Sequence, residues 1–167
     1  MGSDLRVTGK RLAGALSAGA LLAALPCTAQ VRDVELKAAY IYNFAQFVSW
    51  PPGRENMPLT VCADRASVLW LALQPYNGRA VGARAWRLRD TATRDNDTCD
   101  IQVLSRTADS DAGPGVLVVR DGPGATRAAI TLVDDDEQLR FDVDTQALAG
   151  AGLRASSKLL HLARNVL

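Results

Sequence analysis

Apolar residues recur along residues 33–49 at a helical interval. Val34, Ala38, Ile41, Ala45 and Val48 stand at i, i+4, i+7, i+11 and i+14, which is one face of an α-helix. Tyr40, Phe44 and Phe47 widen that face with aromatic area. The spacing predicts a first helix from about Asp33 to Ser49, with Asp33 as its N-cap. Pro51 and Pro52 end it, because a residue that precedes proline is pushed out of the α region.

Downstream the period shortens. Leu59–Ala63, Cys99–Leu104 and Gly115–Val119 are near-continuous apolar runs, the mark of strands covered on both faces. Ala66–Leu73 predicts a helix ended by Pro75, and Asn77-Gly78 a turn. Ala80–Arg89 reads as one extended segment, with Val81, Ala85 and Trp86 toward apolar surface, and Thr91–Thr98 as polar loop or short helix. Ala128–Val133 and Gln138–Val143 flank the acidic turn Asp134–Glu137, and Leu139, Phe141 and Val143 alternate as in a half-buried hairpin strand. Thr145–Ala149 predicts a short helix closed by Gly150 or Gly152. Ser156 caps a last helix with Leu159, Leu160, Ala163 and Val166 on one face. The sum is an α/β fold: a mixed sheet of five or six strands with helices on both faces, Rossmann-like without a dinucleotide motif.

The first 29 residues change the picture. Arg6, Lys10 and Arg11 precede the uncharged stretch Leu12–Leu25, and Pro26-Cys27-Thr28-Ala29 then supplies a helix break and small residues. This is the pattern of a signal peptide cleaved near Ala29, which leaves one α/β domain over residues 30–167. An uncleaved anchor and a lipid attached at Cys27 are the alternatives. The signal takes three of 19 basic and one of 18 acidic residues, so the remainder carries 16 against 17, a net charge near −1. No basic stripe is present, which argues against nucleic acid as a partner. Two cysteines remain, Cys62 and Cys99, and an oxidising compartment favours a disulfide between them over two free buried thiols. One histidine and no C-x-x-C spacing leave no metal site, and no cofactor is expected.

Signs of catalysis are few. Gly113-Pro114-Gly115 and Gly122-Pro123-Gly124 match no phosphate-binding loop and read as turns. His161, beside Leu160 and Leu162 in the last helix, reads as a solvent-facing helix residue; a hydrolase would need a nucleophile and a carboxylate around it. Asp134–Glu137 lacks the ligand spacing and glycine of a calcium loop. Lys37 and Lys158 read as snorkelling or ion-paired helix residues, and Tyr40, Phe44, Phe47 and Trp50 as core or as the lining of a partner groove.

Two motifs point further. Lys37-Ala38-Ala39-Tyr40-Ile41-Tyr42-Asn43-Phe44-Ala45-Gln46-Phe47-Val48-Ser49-Trp50-Pro51 is one, and Arg140–Val143 followed by Gly152–Ala163, with Ser156-Ser157-Lys158-Leu159-Leu160, is the other. Together they resemble the YfiR-like family of periplasmic regulators, over nearly the whole exported chain. The segment Gly122–Ile130 is shorter than that family's usual one. The resemblance implies a non-enzymatic periplasmic protein that represses a membrane-bound diguanylate cyclase by protein–protein contact, and so tunes cyclic-di-GMP output, biofilm formation and motility. It also implies a Cys62–Cys99 disulfide, a client that is the periplasmic region of an inner-membrane cyclase or sensor protein, and homodimerisation. Its motif residues Lys37, Tyr40, Asn43, Phe44, Phe47, Trp50, Pro51, Ser156, Ser157 and Lys158 become candidate interface positions. The alternative is a periplasmic small-molecule binding module that acts with a sensor kinase or receptor.

Overall fold

The structure is a computed structural model that describes residues 27–93, 99–110, 112–125, 127–136 and 138–167; the expected signal peptide lies outside it up to residue 26. In chain order the elements are α1 (Cys27–Phe47), β1 (Val48–Ser49), β2 (Leu59–Ala63), α2 (Val68–Leu73), β3 (Ala80–Val81), β4 (Arg84–Asp90), β5 (Ile101–Leu104), β6 (Leu117–Asp121), β7 (Ile130–Asp135), β8 (Gln138–Val143), α3 (Thr145–Gly150), β9 (Arg154–Ala155), α4 (Ser157–Leu162) and β10 (Asn165–Val166). No helix among the described residues is long and apolar enough to cross a membrane.

The main sheet has eight strands in the order β10-β8-β7-β6-β5-β2-β4-β3. The five from β4 to β7 run parallel; β3 and β8 flank them antiparallel, and β10 at the outer edge runs parallel to β8 and so against the five. This corrects the expected five or six strands. Residues 80–89 fold back at Gly82 (φ 58°) into two strands, and β10 is two residues long, too short to carry any alternation. A separate two-stranded ribbon pairs β1 with β9.

Register sorts the faces. Val61, Ile101 and Leu117 lie side by side, as do Val119, Ile130 and Val143. On this face α1 packs through Phe44 and Tyr40 onto Phe141, at ring-centroid distances of 4.9 and 5.9 Å. Contacts of α1 with α2 and α4 bring those helices to the same side, with Leu69, Leu73 and Leu159 in the shared core. The opposite face carries Gln102 and the row Arg120, Thr131 and Asp142. There Arg120 is covered by the backbone of residues 105–108.

Local expectations fail where long-range contacts override them. The first helix runs through Asp33, which pairs with Lys37 (3.0 Å) instead of capping the N-terminus. It also stops at Phe47, two residues before the expected end, because Val48–Ser49 pair with β9. In β4, Trp86 is buried but Ala85 is exposed. The last helix stops at Leu162, so Val166 does not continue its apolar face and is exposed in β10. Arg164 grips Asp142 at 2.6 and 2.9 Å and holds the chain extended beside β8.

Candidate interaction groove

The aromatic face of α1 is fixed to the sheet by a buried cation. Lys37 is 7% exposed. Its Nζ reaches Asp33 (3.0 Å), Asp121 on β6 (3.2 Å) and Asp134 on β7 (3.5 Å). Burial works against the ammonium, but the hydrogen bond from Lys37 to Asp33 and the charge of Asp121 outweigh it, so Lys37 titrates above its ordinary range. A raised lysine pKa stabilises the fold at any pH below the unfolded value near 10.5, and that stabilisation drains away as the pH climbs toward the folded value. Lys37→Met should therefore cost about 2 kcal/mol at neutral pH, less than the 3–5 of a fully buried pair because two of the carboxylates are partly solvated. Urea melts between neutral pH and about pH 11 should converge for the two proteins. A gap that widens with pH would contradict this placement of the charge.

At its C-terminal end α1 meets the start of α4. The Ser156 backbone N–H donates to the Phe47 carbonyl (2.8 Å), and Val48 pairs with Ala155 in the ribbon. The Ser156 Oγ accepts from the Leu159 N–H (3.3 Å) and starts α4 as its N-cap. The two motifs, a hundred residues apart in sequence, thus form adjacent walls of one groove of about 760 Å³. Tyr40, Asn43, Phe44 and Phe47 come from α1, Leu139, Arg140 and Phe141 from β8, and Leu159, His161, Leu162 and Ala163 from α4 and its end. Phe44 forms the buried floor, and the Tyr40 hydroxyl donates to the Leu139 carbonyl (3.4 Å). Asn43, His161 and Leu162 are exposed at the groove. Large aromatic area with a sparse polar rim is the composition of a contact surface.

Other predicted residues go elsewhere. Trp50 and Pro51 leave the groove and line a smaller depression with Arg54 and Arg84. The Trp50 indole Nε1–H donates to the Asp100 carbonyl (3.2 Å). Pro51 packs beside Gly152, whose φ of 73° the chain needs to turn back toward β9. Ser157 and Lys158 are exposed on α4 and do not line the groove. Cys62 and Cys99 form the disulfide, with Cα atoms 5.8 Å apart. His161 has no hydrogen-bonding or ion-pairing partner among the described residues, so no nucleophile or orienting carboxylate engages it there. No group of three or more His, Cys, Asp or Glu side chains among the described residues is placed to hold a metal ion.

Asp100 escaped the sequence reading. It is 1% exposed and accepts from the Thr60 N–H (2.8 Å) and Arg84 Nη2 (2.7 Å). Its only sequence signal is a carboxylate between Cys99 and an apolar run.

No curated protein matches the chain. A model of the YfiR/HmsC-like family matches residues 34–164. That span begins on α1, includes the disulfide and the whole parallel sheet, and ends at Arg164, where the chain has passed both walls of the groove. On that match the chain belongs to the YfiR/HmsC-like family.

Proposed function

We propose that this protein is a periplasmic regulator that represses a membrane-bound diguanylate cyclase by holding its periplasmic region in an inactive conformation. The observation that carries the reading is the meeting of the two family motifs in the α1–α4 groove, with aromatic walls and exposed Asn43, His161 and Leu162. Binding one conformation of a client more tightly than another shifts its population by that difference in affinity, and no chemical step is required. The Cys62–Cys99 disulfide suits an oxidising compartment, and family membership supports a regulatory rather than a catalytic role.

The test uses Leu162, which is 62% exposed at the groove. Leu162→Asp should weaken capture of a cyclase ectodomain by about tenfold or more. It should change stability by no more than about 0.5 kcal/mol, as surface substitutions usually do. Full binding by a folded Leu162→Asp protein would remove the groove from the interface.

A second reading rests on groove size. About 760 Å³ falls within the roughly 300–1,000 Å³ of small-molecule sites. A small ligand that controls client contact would raise the thermal midpoint in a metabolite screen, and Phe47→Ala would abolish that rise.

A further inference from the structure

Charge is unevenly spread along the exported chain. Residues 65–89 hold five of its 16 basic residues and none of its 17 acidic ones, which leaves 11 against 17 elsewhere. The five arginines form no run, but the fold brings them to one edge of the sheet. There β3 and β4 are the last strands, and the Trp86 N–H on β4 donates to the carbonyl of Arg79, just past the turn that follows α2 (2.8 Å). Asp100 engages Arg84. Arg65 and Arg79, at the two ends of the α2 segment, are exposed and form no ion pair among the described residues. The Arg65 guanidinium lies 5.9 Å from the centre of the Trp70 ring and that of Arg79 lies 5.0 Å from the centre of the Tyr76 ring.

Between these two cations α2 turns an apolar face to solvent. Leu69 and Leu73 are buried in the core, whereas Val68 and Leu71, one turn apart, are 65% and 76% exposed. Trp70, next to Leu71, is part-buried against the core. One exposed aliphatic residue is ordinary, but a pair flanked by an indole and two guanidinium groups matches the layers of a bilayer surface. Aliphatic tips reach the acyl chains, an indole sits at the headgroup level, and guanidinium groups meet lipid phosphate. An acidic protein surface would answer the arginines alone. Val68 and Leu71 protrude from a helix, and a bilayer takes in protruding side chains without a preformed pocket.

We infer that the α2 face docks on an anionic phospholipid bilayer, with Val68 and Leu71 inserted and Arg65 and Arg79 on the headgroup phosphates. None of these residues lines the α1–α4 groove, so client and bilayer contact separate surfaces. The excess of acidic residues over the rest of the chain orients the protein, because the same anionic surface repels it.

The probe is a vesicle of phosphatidylglycerol and phosphatidylcholine in equal parts, with pure phosphatidylcholine as its neutral counterpart. The exported protein should sediment with the first at low salt and not with the second, and added salt should release it. Bromine-labelled acyl chains should quench its tryptophan emission, and Trp70→Phe should lose most of that quenching. Arg65→Gln combined with Arg79→Gln should weaken binding by roughly fivefold for each charge removed. Leu71→Asp should weaken it by about tenfold or more. If Leu71→Asp does not fold, the quenching of Trp70 in the wild-type protein decides alone. No sedimentation at low salt, equal sedimentation with neutral vesicles, or full binding by a folded Leu71→Asp protein would overturn the assignment. So would polyglutamate that changes Trp70 emission as strongly as the vesicles do, which would make an acidic protein the partner.

Discussion

Asp100→Ala should lower the unfolding free energy by about 3–5 kcal/mol, the cost of breaking a buried pair from one side. For a chain of this size that is a fall in Tm of roughly 10 °C or more. The carboxylate lies where four segments meet. Oδ2 accepts from the Thr60 N–H on β2 and from Arg84 Nη2 on β4, and Arg54 lies 3.6 Å away. The Asp100 N–H donates to the Thr60 carbonyl (2.7 Å), and the Asp100 carbonyl accepts from the Leu117 N–H (2.8 Å) and from Trp50. Alanine keeps these backbone bonds but orphans the Thr60 N–H and removes the counter-charge of Arg84. An orphaned buried donor costs its full desolvation, about 1–3 kcal/mol, and the unbalanced guanidinium adds to that.

Asp100→Asn separates the two contributions. An amide oxygen can still accept from Thr60, so the loss is confined to the charge on Arg84 and should be about 1–2 kcal/mol. Arg84 keeps its hydrogen bonds to the Met57 and Pro58 carbonyls (both 2.9 Å), which limits the damage. Urea melts of the three proteins, each with its disulfide intact, read the ordering directly. An Asp100→Ala protein within about 1 kcal/mol of wild type would mean that water replaces the carboxylate at little cost.

Most of what was legible in the sequence was local. The apolar interval of α1, the Ser156 cap and the alternation in Leu139, Phe141 and Val143 each depend on neighbours within a few residues, and each appears in the structure. The family motifs named both walls of the groove, although they could not show that Trp50 and Pro51 face away from it. Long-range partners decided the rest. The strand through Leu117–Val119 continues through Arg120 and Asp121, two charged residues that looked like its end. Carbonyls of residues 105–108 hold Nη1 of Arg120, and Lys37 holds Asp121, partners that lie outside the strand and far from it in sequence. Asp33 reads as a cap because its carboxylate can accept from orphan N–H groups at the head of the apolar interval, yet its distance to Lys37 is the ordinary i,i+4 pairing of a helix interior. Asp100 meets Arg84 across 16 residues and Thr60 across 40, distances over which no pattern in the chain is periodic.

The pairing of Cys62 with Cys99 was legible from compartment and count, and its energetic consequence can be drawn from the topology. The bond spans 37 residues of sequence, for which the chain-entropy model gives about 3–4 kcal/mol. Cys62→Ala with Cys99→Ala should forfeit most of that, since Cys62 lies 3% exposed in β2 and alanine fills part of its place. The loss should not be uniform. The closed loop contains α2, β3 and β4, and β4 is joined to the parallel sheet through β2 alone. Without the cross-link this edge has the most chain freedom to regain. Amide exchange of Trp86 and Leu88 should therefore accelerate well beyond that of Val119 and Leu132, which sit in the β6–β7 centre. Uniform acceleration would show that the disulfide acts on global unfolding alone. An unchanged Tm in the doubly substituted protein would show that the described packing of β2, β4 and β5 holds the edge without it.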